Sequence, residues 1–296
     1  MTKKIINEYH LNRYQPDKPQ FAIFDLKSYL KNNNTDTTRP HIHSFYQIIW
    51  FKQGNGTHYV DFKAFDVFAN TIFFVAKNQV HYFDENLDYE GFLIHFNEAF
   101  LVQKESETDF ILKCNLFNNP YQLPCYCIGK DIEHILNEYI LQIKRELENE
   151  NDFGKEELLR NYLKSFLIQI QRRKNELDEI QNNTLFHLDE KRLQLIRFIN
   201  LINENYTKGF TVAEYANQLF ISPRTLSDLT NQLLNKTPSQ MIQERIILEA
   251  QRLLLHSSLN INQIGYRLGF DDSSYFVKYF KKHTGISPSE FRNSVL

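Results

Sequence analysis

Between Ile264 and Gly285 the chain reads IGYRLGFDDSSYFVKYFKKHTG. Ser273, Ser274, Tyr275 and Lys278 follow an acidic pair, Asp271-Asp272, and Lys281, Lys282 and His283 come within the next turn. Hydroxyls and an ammonium at this spacing can hydrogen-bond base edges, and a run of cations can neutralise phosphates. A solvated helix end would carry the same charges, because cations suit a helix C-terminus. What separates the two readings is a second copy. FTVAEYANQLFISPRTLSDLTNQLLNKTP, Phe210–Pro238, has the same design as Leu259–Pro288 and places Arg224, Thr225, Ser227, Asp228 and Asn231 where the other copy has its polar face.

Each copy needs the same supports. A short helix carries a small residue, Ala216 or Gly265, that lets a partner approach. A tight turn follows, then a longer helix with a strong start. Ser222-Pro223 is an N-cap with Pro at the first helical position, and Asp271 or Asp272 can cap its counterpart. Leu226 and Leu229 in one long helix, and Phe276 and Phe280 in the other, recur at helical spacing. This is a helix-turn-helix given twice. The helix between, Ser239 to His256, buries Ile242, Ile246, Ala250, Leu253 and Leu254 and spans roughly 25 Å, which allows two helices to enter successive major grooves.

The front half differs. FYQIIWF, THYVDF, TIFFVAK and YEGFLIHF are aromatic and β-branched runs separated by turn signals such as Lys52–Gly56, and several such runs in close order predict an all-β barrel or sandwich. From Asp131, a plausible N-cap, the period becomes helical up to Glu150. A second helix runs from Lys155 to Lys174, and KNELDEIQNNT reads as a linker. Barrel or second subunit could cover the apolar stripes of these helices. Residues from Asp189 onward hold 13 Lys+Arg and 10 Asp+Glu, a net of +3, while the preceding part nets -5, so the anion-binding half is the C-terminal one.

Some classes are disfavoured. Hydrophobic residues at 42% with charged residues at 24% give a globular core rather than a disordered chain. The start MTKKIINEYH lacks the apolar run of a secretory leader, and no apolar run is long enough to span a bilayer. Three cysteines, Cys114, Cys125 and Cys127, cannot all pair within one chain, which favours a reducing cytoplasm. Cys125-x-Cys127 alone, with no nearby His or Cys pair, is a weak metal signal.

Leu193–Arg292 resembles the DNA-binding domain of the AraC/XylS family of bacterial transcription regulators, through ISPRTLS, EAQRLLL, INQIGYRLGF and SSYFVKYFKKHTGISPSEFR. Members usually carry Gly where this chain has Phe220 and Asn235, often Phe-Lys-Lys where it has Thr230-Asn231-Gln232, and a basic or amide residue where it has Asp228. The stretch from Arg39 to Phe83 resembles the family's cupin-like sensor barrel. Metal cupin enzymes use a His-x-His, a carboxylate and a later His. Here His41, His43 and His81 fit and Gly54 falls on a motif glycine, but Gln47 replaces the carboxylate and the second motif is eroded. No metal and no cofactor is therefore expected, and the three histidines are read as barrel-mouth polar groups that either touch a ligand or are simply hydrogen-bonded structure.

The resulting expectation is an α+β multidomain chain: a cupin-like barrel over 1–128, a helical dimerisation region over 129–184 and a double helix-turn-helix domain over 185–296. It implies a cytoplasmic homodimer that binds double-stranded promoter DNA, answers to a small-molecule effector and possesses no enzymatic activity, with RNA polymerase as a further partner. The rivals are a metal cupin enzyme with a DNA-binding tail and a constitutive DNA-binding dimer.

Overall fold

A computed structural model describes residues 7–12, 20–86, 88–101, 116–117, 123–149, 152–182 and 190–294. Cys114 and the stretch 183–189 lie outside them. The chain divides into two compact units. One is Tyr9–His187; the other is Leu188–Leu296, to which Met1–Glu8 is assigned.

The first unit is two five-stranded sheets. The strands are β1 (Asn7–Tyr9), β2 (Phe21–Asp25), β3 (His41–His43), β4 (Tyr46–Gln53), β5 (Gly56–Val60), β6 (Lys63–Val67), β7 (Thr71–Val75), β8 (His81–Phe83), β9 (Glu90–Phe96) and β10 (Cys125–Cys127). The sheet orders are β1-β3-β8-β5-β6 and β10-β7-β4-β9-β2. All four expected strands are present as β4, β5, β7 and β9. THYVDF does not run through as one strand: it stops at Val60, and Asp61 and Phe62 take φ of 46° and 67° in the two-residue turn to β6. This turn type normally uses Asn-Gly or Asp-Gly, so Phe62 hides it from the sequence. Asp61 fixes the turn by accepting from Gln79 Nε2 and the Val80 amide.

Side chains alternate faces along a strand. In β4, Ile48 and Trp50 belong to one core and Ile49 and Phe51 to another. The first core is closed by the helices Glu133–Glu148 and Lys155–Asn182, whose Leu136, Ile140, Ile143, Leu159, Leu163, Phe166 and Ile170 pack on it. The barrel sheet therefore covers the helical stripes, and the hairpin falls in the same compact unit as the strands. Two expectations change. Asp131 does not cap: Ile132 occupies the N-cap, and Asp131 meets Arg173 at 2.8 Å. The second helix continues to Asn182 through the segment read as a linker. Lys, Glu, Leu and Gln there are good helix formers, and Arg173–Glu176 and Gln171–Asn175 brace successive turns.

Over 190–294 the regular elements are all helical: Glu190–Asn205, Val212–Gln218, Pro223–Leu234, Pro238–His256, Ile261–Arg267, Ser273–Thr284 and Pro288–Ser294, with one short 3₁₀ turn at Tyr206–Lys208. Reciprocal capping boxes start four of them, from Thr211–Glu214, Thr237–Gln240, Asn260–Gln263 and Ser287–Glu290. The connecting helix buries Met241 with Ala250, Leu253 and Leu254, whereas Ile242 and Ile246 are only half-buried. Arg292 ties the last helix down by donating to the Leu254 and Leu259 carbonyls.

Candidate functional site

The two polar faces noted in the sequence sit on matching helices. In Pro223–Leu234, Ser222 accepts from the Thr225 amide at 3.0 Å and Pro223 opens the first turn. In Ser273–Thr284, Asp272 is the residue that caps, accepting from the Ser274 amide at 2.8 Å. Leu226, Leu229 and Thr230, and Phe276 and Phe280, turn inward. That leaves Arg224, Thr225, Asp228 and Asn231 exposed on one helix, and Ser274, Tyr275, Lys278, Lys281 and Lys282 on the other; Ser227 and Ser273 are half-buried. The Ser227 hydroxyl donates to the Pro223 carbonyl, which leaves it an acceptor. His283 makes a tilted ring contact with Tyr279, and burial followed by the adjacent Lys282 lowers its imidazole below the usual value, so it adds little positive charge at neutral pH.

The short helices pack where the sequence placed small residues. Ala216 is fully buried, and a β-carbon on Gly265 would lie 3.1 Å from Phe276 Cβ. The turns use left-handed backbone: Phe220 has φ of 57° and Gly269 of 86°, and the long helices end on Asn235 at 51° and Gly285 at 84°. These are corresponding positions of the two copies.

The barrel interior is divided. Ile49, Phe51, Val60, Phe73, Phe83 and Leu93 make an apolar portion. Phe51 and Phe73 are in edge contact at 5.6 Å, so these phenylalanines pack mainly on one another. By strand alternation, Gln47 continues the inner face of β4, His58 that of β5, His81 that of β8 and His95 that of β9. With His41 and His43 they form a polar layer in which all six side chains are at most 3% exposed. The histidines are thus interior groups rather than mouth groups. Burial holds all five imidazoles below their ordinary value, with His58 and His95 down to about 3, so the layer is neutral near pH 7.

His41 and His81 are register partners across β3 and β8. His41 Nδ1 lies 2.8 Å from the Arg39 carbonyl, which can only accept, so Nδ1 carries the proton and Nε2 keeps its lone pair. His81 bridges the others, with Nε2 3.0 Å from His43 Nδ1 and Nδ1 3.3 Å from His58 Nε2. Gln47 Oε1, His58 Nδ1 and His95 Nε2 are buried with no hydrogen-bond partner among the described residues. Sequence reasoning found His41, His43 and His81 but missed His58 and His95. The signal available was a His two residues before Val60 in one strand and two after Leu93 in another.

Comparison with known proteins joins the two halves. Residues 28–163 match the model of an AraC-like ligand binding domain, and residues 215–294 match that of a helix-turn-helix domain. The chain belongs to the AraC family of transcription regulators. Its curated relatives include the HTH-type transcriptional activator RhaS of Escherichia coli O1:K1 / APEC, 23% identical over 257 residues, covering 85% of this chain and 86% of that protein. Among solved structures, an AraC-type transcriptional regulator from Chromobacterium violaceum is 28% identical with a TM-score of 0.33, covering 35% of this chain and 93% of that one. ToxT from Vibrio cholerae O395 is 16% identical with a TM-score of 0.43, covering 94% of this chain and 99% of that one.

As an AraC-family regulator the protein binds DNA through its C-terminal unit. Its two departures from the family's usual glycines, Phe220 and Asn235, both fall on left-handed backbone. Asn tolerates that conformation; a bulky aromatic does not, and Phe220 is also 95% exposed.

Proposed function

We propose that this regulator reads promoter DNA with both long helices of the doubled motif and that a ligand in the barrel sets its affinity. Arg224, Thr225, Ser227, Asp228 and Asn231 read one groove segment; Ser273, Ser274, Tyr275 and Lys278 read the next. Lys281 and Lys282 hold phosphates. Asp228 accepts from a cytosine amino group, a role open to a carboxylate at a base edge but not beside a phosphate. The observation that carries this reading is the repetition: two helices with matching caps, matching buried residues and polar faces left exposed at the same turns. Its mechanism is equilibrium binding, in which a ligand shifts promoter occupancy by its differential affinity for two states.

Selection from a random DNA pool at fixed salt tests the assignment. Lys278→Ala is expected to alter the preferred base at one position, by about 1–3 kcal/mol. Lys282→Ala is expected to weaken all sequences alike and to lower the salt slope by about 1. Matching base profiles for wild type and Lys278→Ala would refute the base contact.

A cytoplasmic homodimer completes the reading, with RNA polymerase at the promoter as a further partner. The inward stripes of the helical hairpin are already covered, so self-association must use what remains exposed, such as Leu141, Leu158 and Ile168. Sedimentation is expected to show a dimer that Leu141→Glu weakens; a monomer at all concentrations would remove the dimer from the proposal. Among the described residues no helix is long and apolar enough to cross a membrane.

A further inference from the structure

The polar layer of the barrel is a poor way to build a core. A neutral imidazole offers one donor and one acceptor. Here five sit together, with Gln47 beside them and three buried polar atoms unpartnered among the described residues. A buried polar atom left without a partner costs its full desolvation, and phenylalanine, which fills the rest of the interior, would carry no such cost. The arrangement gains only if something accepts several lone pairs at once.

We propose that His41, His43 and His81 bind one divalent transition-metal ion of the nitrogen-preferring class, such as Zn²⁺, Ni²⁺ or Co²⁺, and that this ion is the signal the barrel senses. One ligand nitrogen from each residue lies within 4.8 Å of the others, and all three are buried. Their contacts resemble those of metal-ligating histidines, whose second ring nitrogen is held by a carbonyl or another group. The Arg39 carbonyl holds His41 with its Nε2 free. His58 is a positioning residue: its Nε2 accepts from His81 Nδ1–H, which turns the Nε2 lone pair of His81 toward His43. An all-imidazole set suits zinc, nickel, cobalt, copper or iron and does not suit calcium or magnesium.

The expectation of no metal rested on Gln47 replacing a carboxylate. That substitution removes an anion but leaves three nitrogen donors, and three protein ligands with an open fourth position form a recognised zinc arrangement. The charge of the ion then has to be met by a bound hydroxide or a small anion in the open position. Of the unpartnered atoms of the same layer, Gln47 Oε1 can accept the proton of a bound hydroxide, and His95 Nε2, where it carries the proton, can donate to a hydroxide or a small anion.

The signalling half of this proposal rests on the barrel being a sensor; the binding half does not. Full-length protein is stripped with a chelator and titrated with Co²⁺, read by visible absorption, and with Zn²⁺, read by elemental analysis and melting temperature. One equivalent is expected, with a rise in melting temperature that chelator reverses. His43→Gln and His81→Gln are expected to abolish the cobalt spectrum, and His58→Gln to weaken affinity about 10–100-fold. A Cys125→Ser, Cys127→Ser double variant keeps the metal. Circular dichroism and DNA binding confirm that each variant is folded. Failure of the wild-type protein to take up cobalt or zinc overturns the site, as does metal that survives both His43→Gln and His81→Gln; the sensor reading would then stand for other ligands. Operator titrations with and without zinc test the signal: equal DNA affinity overturns that role while the site remains.

Discussion

Chelator-treated protein is expected to lose its N-terminal unit to acid well before carboxylates titrate. The cause is the buried histidine layer. Burial depresses the imidazoles in the folded state, with His58 and His95 at about 3 and His43 and His81 well below their ordinary value. In the unfolded chain each returns to about 6.5. Between those values the unfolded state binds more protons, so stability is present at pH 7 and falls as pH drops below about 6.5. At pH 5 His58 and His95, neutral in the fold, each cost about 2 kcal/mol, roughly 4 kcal/mol together, and His43 and His81 act in the same direction. A domain's whole stability is about 5–15 kcal/mol.

Trp50 reports this directly. It is the single tryptophan of the chain and is fully buried in the N-terminal unit. Denaturant midpoints followed by its emission should fall steeply from pH 7 to 5. Asp25 does not confuse the window: hydrogen bonding to Ser28 lowers its carboxyl from an already acidic value, so its contribution is lost only at lower pH. His58→Phe should flatten the slope by one proton's worth. A midpoint that stays level from pH 7 to 5 would mean that the layer is solvated rather than buried.

How far the sequence could be read depended on whether the information was local. The doubled motif was legible because its signals lie within a few residues: Ser222-Pro223, Asp272, Ala216 and Gly265 each act on a neighbour one turn away or on the next helix. The strands β4, β7 and β9 were legible from composition. What failed was longer in range or lacked a usual residue. The Asp61-Phe62 turn has no glycine. Asp131 could cap or pair, and only the fold brings Arg173 to it. The histidine layer was half visible. His41, His43 and His81 stood in a recognisable pattern, while His58 and His95 are separate residues on strands of different sheets that join it by alternation and by the packing of one sheet on the other. The local mark each carries is a two-residue step from an inward apolar residue, Val60 or Leu93, which ordinary alternation also produces.

The second large effect lies in the turns of the two helix-turn-helix units, where corresponding positions should respond in opposite senses. Gly269 has φ of 86°, and a β-carbon there would overlap the carbonyl oxygen of Thr207, a backbone atom that cannot rotate away. Gly269→Ala therefore combines left-handed strain with a steric conflict, and is expected to cost roughly 3–4 kcal/mol and to abolish operator binding. Phe220 takes the matching place in the first unit at φ of 57°, with its ring in solvent. Phe220→Gly removes the strain and loses little packing. Because glycine also gains freedom in the unfolded chain, the net stabilisation should be about 0.5–1 kcal/mol. Trp50 is silent for this unit, so thermal unfolding of each variant is followed by far-ultraviolet circular dichroism alongside operator affinity. If Gly269→Ala folds and binds like wild type, the close approach to Thr207 is not real. If Phe220→Gly is destabilising or loses DNA binding, the exposed ring makes a contact that outweighs its strained backbone, and that turn is part of the regulator's working surface.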